Sequence, residues 1–421
     1  MGRDKIKILD LLAKKIILKY NPIVIGIVGD TNRDSTSRII YEVLSKKHRV
    51  GCNYGGHFSE GNISAAIISP NDSDGSTQRQ LAIFARALNF LSHKSDSYPE
   101  IIVLDMRTEK AGDMKKILEI VRPQISVLMS SEEVSISNEK IKNDKLAVRE
   151  KALLLKSLGK SDLAVFNVDD ENMRGVCENI KAQKMSFGFS DMAKVKGEEI
   201  FLANKKWRIE NGKIGMSFKI TYQGTTVPFR FSYALGRGHI YAALAGTAVG
   251  LYLGFNLMEI AEALSDYRAQ PGKMNLIKGK NDSLIIDDTF GSGPLSMLSA
   301  LDTLKKLEAS RKIAVLGDIK ASEKNTKEVY KYVGGNVAES VDLLFCCGEF
   351  AEYFCKAVKK KGMEEDHIFY FKDKSELARE LNRILSKDDV VLVKGSRAMK
   401  MEEVVKAIML EPERAEDLLV K

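Results

Sequence analysis

Apolar positions along the chain fall into two rhythms. Ile23–Val28, Ile101–Met106, Ile125–Ser131 and Asp162–Asp170 are short, nearly continuous apolar runs rich in β-branched residues, which predict buried strands. Helical patterns separate them, over Ser35–Ser45, Gln80–Leu91 and Lys145–Leu158. Strands alternating with helices predict a mostly parallel sheet covered on both faces. From about Ile200 to Tyr233 the period falls to two, and Asn-Gly and Gln-Gly pairs punctuate it, which predicts antiparallel hairpins. Helices over Tyr241–Leu253 and Leu257–Tyr267 lead to a turn at Ala269–Met274, AQPGKM. Beyond it, apolar runs at Leu284–Asp288, Lys312–Asp318, Asp342–Gly348, His367–Phe371 and Asp389–Ser396 again alternate with helices. The predicted fold is α/β in two domains. A P-loop-type central domain over residues 23–274 carries a parallel sheet and an antiparallel hairpin region; a Rossmann-like C-terminal domain spans 275–421. Residues 1–22 are predicted to form a helix that Pro22 ends.

That helix places Ile8, Leu9, Leu12 and Ile16 near one face, with Lys5, Lys7, Lys14, Lys15 and Lys19 around it. Such a face suits docking on the following domain or peripheral contact with an anionic membrane. The formal charge of +8, from 65 basic and 57 acidic residues, is spread along the chain. No basic run interleaved with aromatics points to nucleic acid. The five cysteines are irregularly spaced and form no zinc-type cluster, which suits free thiols in a reducing cytoplasm. No apolar run is long enough to span a bilayer.

The candidate chemistry starts at Val24–Leu44, VIGIVGDTNRDSTSRIIYEVL. A strand runs through Gly26 into Gly29, a polar loop follows, and Ser35-Thr36-Ser37 opens a helix. This is the layout of a phosphate-binding loop, which cradles phosphates with backbone N–H groups and a helix N-terminus. Such loops carry a Lys followed by Ser or Thr; here those places read Arg33-Asp34.

Further strings stand in order along the chain: Val103–Leu128, Ala147–Leu155, PGKM at Pro271–Met274, IDDTFGSGPLSM at Ile286–Met297, VLGDI at Val315–Ile319 and VLVKGSRAMKMEEVV at Val391–Val405. Together they resemble the Mur ligase family, and within it the branch that adds D-alanyl-D-alanine to a peptidoglycan precursor. The resemblance implies ATP-driven amide formation through an acyl phosphate, with ATP and Mg²⁺ as cofactors and a cell-wall precursor as partner.

By that resemblance Gly26, Gly29, Arg33 and Ser35 would face the nucleotide, and Asp34 and Asp105 would hold metal. Lys151 would be the lysine that the family carbamylates to hold metal. Lys273 stands where the family has an arginine aimed at the phosphates. Asp287, Asp288, Asp318, Lys394, Ser396 and Arg397 are kept, with Asp288 on the nucleotide side and the last three on the substrate side. Departures cluster at the nucleotide. Asn32 replaces a glycine, Arg33 the lysine, Asp34 a Mg²⁺-binding Thr or Ser, and Asp105 a glutamate. The family's histidine is missing from Met129–Ser137, where Glu132 or Glu133 are the available substitutes. His239 and Ala242 replace asparagines, as do Gly291 and Gly293. About 22 residues precede the loop, so the family's N-terminal UDP-binding domain is expected to be absent or replaced by the basic helix. Residues 53–74 fall where the family has an Asn-rich substrate loop. Two readings follow: an ATP-dependent peptide ligase, or a catalytically degraded relative without cofactor that binds a precursor or other cell-wall enzymes as a scaffold.

Overall fold

The computed structural model describes residues 3–29, 32–53, 63–70, 77–108, 111–129, 145–178, 180–202, 215–319 and 326–420. The first sheet contains β1 (Ile23–Val28), β2 (Val50–Cys52), β3 (Ile101–Asp105), β4 (Ile125–Leu128), β5 (Leu163–Asn167), β6 (Gln183–Gly188), β7 (Val195–Leu202), β8 (Met216–Tyr222) and β9 (Thr225–Phe231). Its spatial order is β2-β3-β1-β4-β5-β6-β7-β8-β9. Pairings are parallel as far as β7 and antiparallel through β8 and β9. Gln223 and Gly224, both at positive φ, close the β8–β9 hairpin in the conformation that a two-residue turn requires. The Asn-Gly pair at Asn211 lies outside the described residues.

Helices α1 (Arg3–Tyr20), α2 (Arg33–Leu44), α3 (Ile63–Ile68), α4 (Thr77–Ser92), α5 (Asp113–Ile120), α6 (Lys145–Lys156), α7 (Glu171–Cys177), α8 (Arg237–Tyr252) and α9 (Leu257–Ala263) accompany this sheet. The strand alternation sorts its two faces. Ile25, Ile27, Val103 and Val127 pack with Ile39, Ile40 and Val43 of α2 and Leu244 and Ala248 of α8. Val24, Val28, Ile102 and Leu104 pack with Leu9 and Ile16 of α1, Ile67 of α3 and Leu154 of α6.

The second sheet contains β10 (Asn275–Lys278), β11 (Leu284–Asp288), β12 (Arg311–Leu316), β13 (Leu343–Cys347), β14 (Ile368–Phe371) and β15 (Asp389–Lys394), in the order β10-β11-β15-β12-β13-β14. All its pairings are parallel except β10–β11. Helices α10 (Pro294–Lys306), α11 (Thr326–Ala338), α12 (Ala351–Lys360), α13 (Lys374–Ile384) and α14 (Glu402–Ile408) cover it.

Three expectations need correction. The buried stripe of α1 is Leu9, Ala13 and Ile16, whereas Ile8 is 50% exposed. The docking surface decides this, because apolar residues occur all round the helix. The α9 helix ends at Ala263 and not Tyr267, since Leu264 to Tyr267 turn back toward the site. The hairpin region begins at Val195, ahead of Ile200. Among the described residues no helix is long and apolar enough to cross a membrane.

Candidate functional site

The strand order reverses at β1, which pairs with β3 on one side and β4 on the other. In open α/β sheets the crevice beyond the strand ends at such a point is the usual ligand position. Gly29 leaves β1 at φ +149, and a Cβ there would lie 2.7 Å from Met129 Cβ. Asn32 then adopts the left-handed conformation and starts α2 without a side-chain cap.

Arg33 turns its guanidinium back into the protein. Its Nε donates to Asp105 Oδ1 at 2.8 Å, and its Nη1 donates to the Gly29 carbonyl. Burial pushes the Asp105 carboxyl upward; Arg33 offsets this only in part, and the nearby Asp34 charge adds to the rise. Asp34 pairs with the ammonium of Lys273, which also donates to Gln270 Oε1 at 2.8 Å and lies 4.3 Å from the Phe290 ring centre. Burial alone would raise the Asp34 carboxyl, but the Lys273 charge and hydrogen bond, with Arg33, hold it below its ordinary value.

Two more ties bind the loop helix and α8 to the segment 267–274. Ser35 is buried and its side chain hydrogen-bonds Tyr267. His239, at the start of α8, is held between Tyr267 Oη (3.0 Å from Nδ1) and the Lys273 carbonyl (2.9 Å from Nε2). A carbonyl only accepts, so Nε2 carries the proton and Nδ1 accepts from the tyrosine. Burial outweighs the hydrogen bond to Lys273 and pulls this imidazole down to about 4, so it is neutral at pH 7.

Above these groups lies a cavity of about 730 Å³ between the two sheets' domains. Residues 32–35, Arg107, Arg237, His239, Lys273, Asp288, Phe290 and Lys394 are on its wall. Lys394 is almost fully buried and donates to Asp288 Oδ2 at 2.6 Å and to the Gly291 carbonyl at 2.8 Å. Asp287 accepts from Gly272 N–H and from Thr289, fixing the turn that carries Lys273. Arg237 stacks on Phe189, 4.1 Å from the ring centre, while Arg107 is half-exposed.

The structure thus brings Arg33, Asp34, Ser35, Lys273, Asp288 and Lys394 to one cavity, with Asp105 behind Arg33. Other candidates lie elsewhere. Gly26 sits inside β1, where a Cβ would meet the Met106 sulfur at 2.7 Å. Lys151 is buried in α6 and off the cavity wall. Its neighbour Glu150 accepts from the backbone N–H groups of Gly112 and Met114 and so caps α5 from a distance. Ser396 donates its N–H to the Asp318 carbonyl, and Arg397 pairs with Glu402 at 2.6 Å. Glu132, Glu133 and most of residues 53–74 lie outside the described residues. Sequence reasoning overlooked Arg107, Arg237, Phe290 and Tyr267. Only the position of Arg107, just beyond a strand's C-terminal end, offered a signal.

A crevice at a P-loop-like switch point, closed by a second Rossmann-like domain, is the architecture of ATP-dependent ligases of the Mur type. The Mur ligase middle domain matches residues 33–250, and the Mur ligase glutamate ligase domain matches residues 272–397. This chain belongs to the Mur ligase family. It is 24% identical over 411 residues to the UDP-N-acetylmuramoyl-tripeptide–D-alanyl-D-alanine ligase of Bacillus subtilis, covering 97% of this chain and 80% of that protein. The enzyme of the same name from Borreliella burgdorferi is 23% identical, with 95% and 77% covered. Among solved structures, the MurF ligase of Thermotoga maritima in complex with ADP superposes with a TM-score of 0.77 at 20% identity, covering 99% of this chain and 86% of that one. The folylpolyglutamate synthase of Mycobacterium tuberculosis, also solved with ADP, gives 0.65 at 13% identity, with 96% and 94% covered.

In this arrangement the charges of Arg33 and Asp34 are already paired within the protein. The loop's cation is spent on Gly29 and Asp105. Among the described residues, Asp34 and Asp105 are each paired with a protein cation. A triphosphate placed here would meet the Asp34 carboxylate where its charge needs neutralising.

Proposed function

We propose that this chain is a non-catalytic Mur ligase relative. It serves cell-wall precursor synthesis by binding a precursor, or another enzyme of that route, rather than by ATP-driven amide formation. The observation that carries this reading is the pairing of Arg33 with Asp105 and of Asp34 with Lys273, which leaves the phosphate cradle's charges neutralising one another. In phosphoryl transfer those charges are the catalyst.

The test is calorimetry with Mg·ATP on the purified chain, beside the variant Arg33→Lys/Asp34→Thr. The expected result is no heat of binding for the wild type and recovered binding in the variant. Micromolar binding by the wild type, abolished by Lys273→Ala, would overturn the reading. UDP-N-acetylmuramoyl-tripeptide, which the relatives' names give as their substrate, is the first precursor to titrate. A second reading, an active ligase that adds D-alanyl-D-alanine through an acyl phosphate, is favoured by one observation: a 730 Å³ cavity persists between the domains with Lys273 and Lys394 on its wall. Phosphate release dependent on precursor and D-alanyl-D-alanine would establish it.

A further inference from the structure

The second sheet carries a feature that ATP chemistry does not use. Cys346 Sγ on β13 and Cys355 Sγ on α12 lie 3.2 Å apart, across the turn that leads from strand to helix. Cys346 is fully buried, with the carbonyl oxygens of Ala351 and Phe369 at 3.8 and 3.7 Å from its sulfur. Cys355 is half-buried and is the outer member of the pair. Strand alternation removes the third thiol of this region from contention. Cys347 points to the opposite face, where its sulfur lies 3.8 Å from Met401 Sδ in a separate core.

We propose that Cys346 and Cys355 are a reversible dithiol–disulfide site, entered through Cys355. A disulfide bond is about 2.04 Å long, so the two sulfurs need to close by only about 1.2 Å. The reactant is a small-molecule disulfide such as oxidised glutathione. The Cys355 thiolate attacks one of its sulfurs and expels one small thiolate, giving a mixed disulfide. Cys346 then loses its proton, attacks the Cys355 sulfur and expels the second small thiol. Two protein thiols are oxidised and one small disulfide is reduced to two thiols. The polarity of the pair supports this order. Cys355 is the more exposed thiol, whereas the hydrogen bond it shares with Cys346 and burial raise the Cys346 thiol.

The bridge would staple the turn at 348–350. Asp318 already holds that turn by accepting the N–H groups of Glu349 (2.9 Å) and Phe350 (3.0 Å). Because β11, β15, β12 and β13 run parallel, this turn lies along the same sheet edge as Asp288 and Lys394.

The experiment incubates the reduced full chain with excess oxidised glutathione, followed by intact mass and by cleavage at glutamate. Glu349 and Glu352 separate the two cysteines, so a bridge links two otherwise distinct peptides. The expected result is loss of two hydrogens, a linked Cys346–Cys355 peptide pair, and full reversal by dithiothreitol. Cys347→Ala should oxidise like the wild type, and Cys355→Ala should lose the reaction. Persistence of both free thiols in the wild type, or a bridge through Cys347, would overturn the proposal. Fragmentation of the linked peptides tells Cys346 from its neighbour Cys347 and needs only the wild type, so it decides even where a variant fails to fold.

Discussion

The pair Asp34–Lys273 joins the loop at the end of β1 to the segment that leads into the second sheet, and its worth can be measured. The perturbation is a double-mutant cycle of Asp34→Asn and Lys273→Met, each of which removes charge while roughly keeping shape. The side chains are 24% and 18% exposed, closer to a buried pair than to a surface one. Exposed pairs couple by about 0–1 kcal/mol, and removing one partner of a fully buried pair costs about 3–5 kcal/mol. Either single variant should therefore cost about 2 kcal/mol at pH 7. The double variant should cost clearly less than the sum, with a coupling of about 1–2 kcal/mol. The acid dependence supplies a sign. Burial raises the Asp34 carboxyl, but Lys273 and Arg33 leave it below its ordinary value of 3.8. A carboxyl lowered by folding stabilises above its unfolded pKa, and that contribution is lost as pH falls through the folded pKa. The coupling should hold at pH 7 and fade below 3.8. Urea unfolding of the four proteins at each pH measures it, and calorimetric scans report whether the two sheets still melt together. A coupling below about 0.3 kcal/mol at pH 7, within the scatter of independent sites, would refute the view that this pair ties the loop to the segment that leads into the second sheet.

Three further outcomes are expected. His239 is neutral in the fold with its pKa near 4, against an ordinary 6.5, so the unfolded chain binds the extra proton between those values. Stability is then full above pH 6.5 and falls on acidification, by up to about 3 kcal/mol at 1.36 kcal/mol per unit. His239→Gln should flatten that window in urea midpoints at pH 7.5 and 5, and parallel pH slopes in both proteins would contradict the assignment. Gly29→Ala should cost about 2–4 kcal/mol, because it adds strain at positive φ to a 2.7 Å clash with Met129; a thermal midpoint unchanged from wild type would show that the loop adapts. Ile16→Ala should cost about 2–4 kcal/mol as a cavity under α1. Leu18→Ala, 74% exposed, should stay within about 0.5 kcal/mol. Equal effects would mean that α1 docks by another face.

What was legible in the sequence depended on how local the cause was. The β1 strand was readable because both its faces are covered, so its residues form one continuous β-branched run. The β6 and β10 strands were not. Gln183–Gly188 mixes polar and apolar positions, and Asn275–Lys278 is a four-residue antiparallel edge directly after a turn. The face of α1 was ambiguous because Ile6, Ile8, Leu11 and Leu18 are apolar yet point outward, and the packing of α3, α4 and α5 decides which stripe is buried. The Arg33-Asp34 dipeptide was visible as a departure from phosphate-loop chemistry, but its partners were not. Lys273 is 239 positions from Asp34, and Asp105 is 72 from Arg33. That long-range complementarity bears on the proposed function. An arginine and an aspartate placed at random in a phosphate cradle would leave part-buried charges unpaired, at a cost of several kcal/mol. Here each altered residue meets an opposite charge, and Asp105 is itself altered from the family's glutamate. Ser35 and His239 add two uncharged ties to the same segment. These ties hold the loop to the segment 267–274, which supports the proposed reading and is the reason to look for a binding role first.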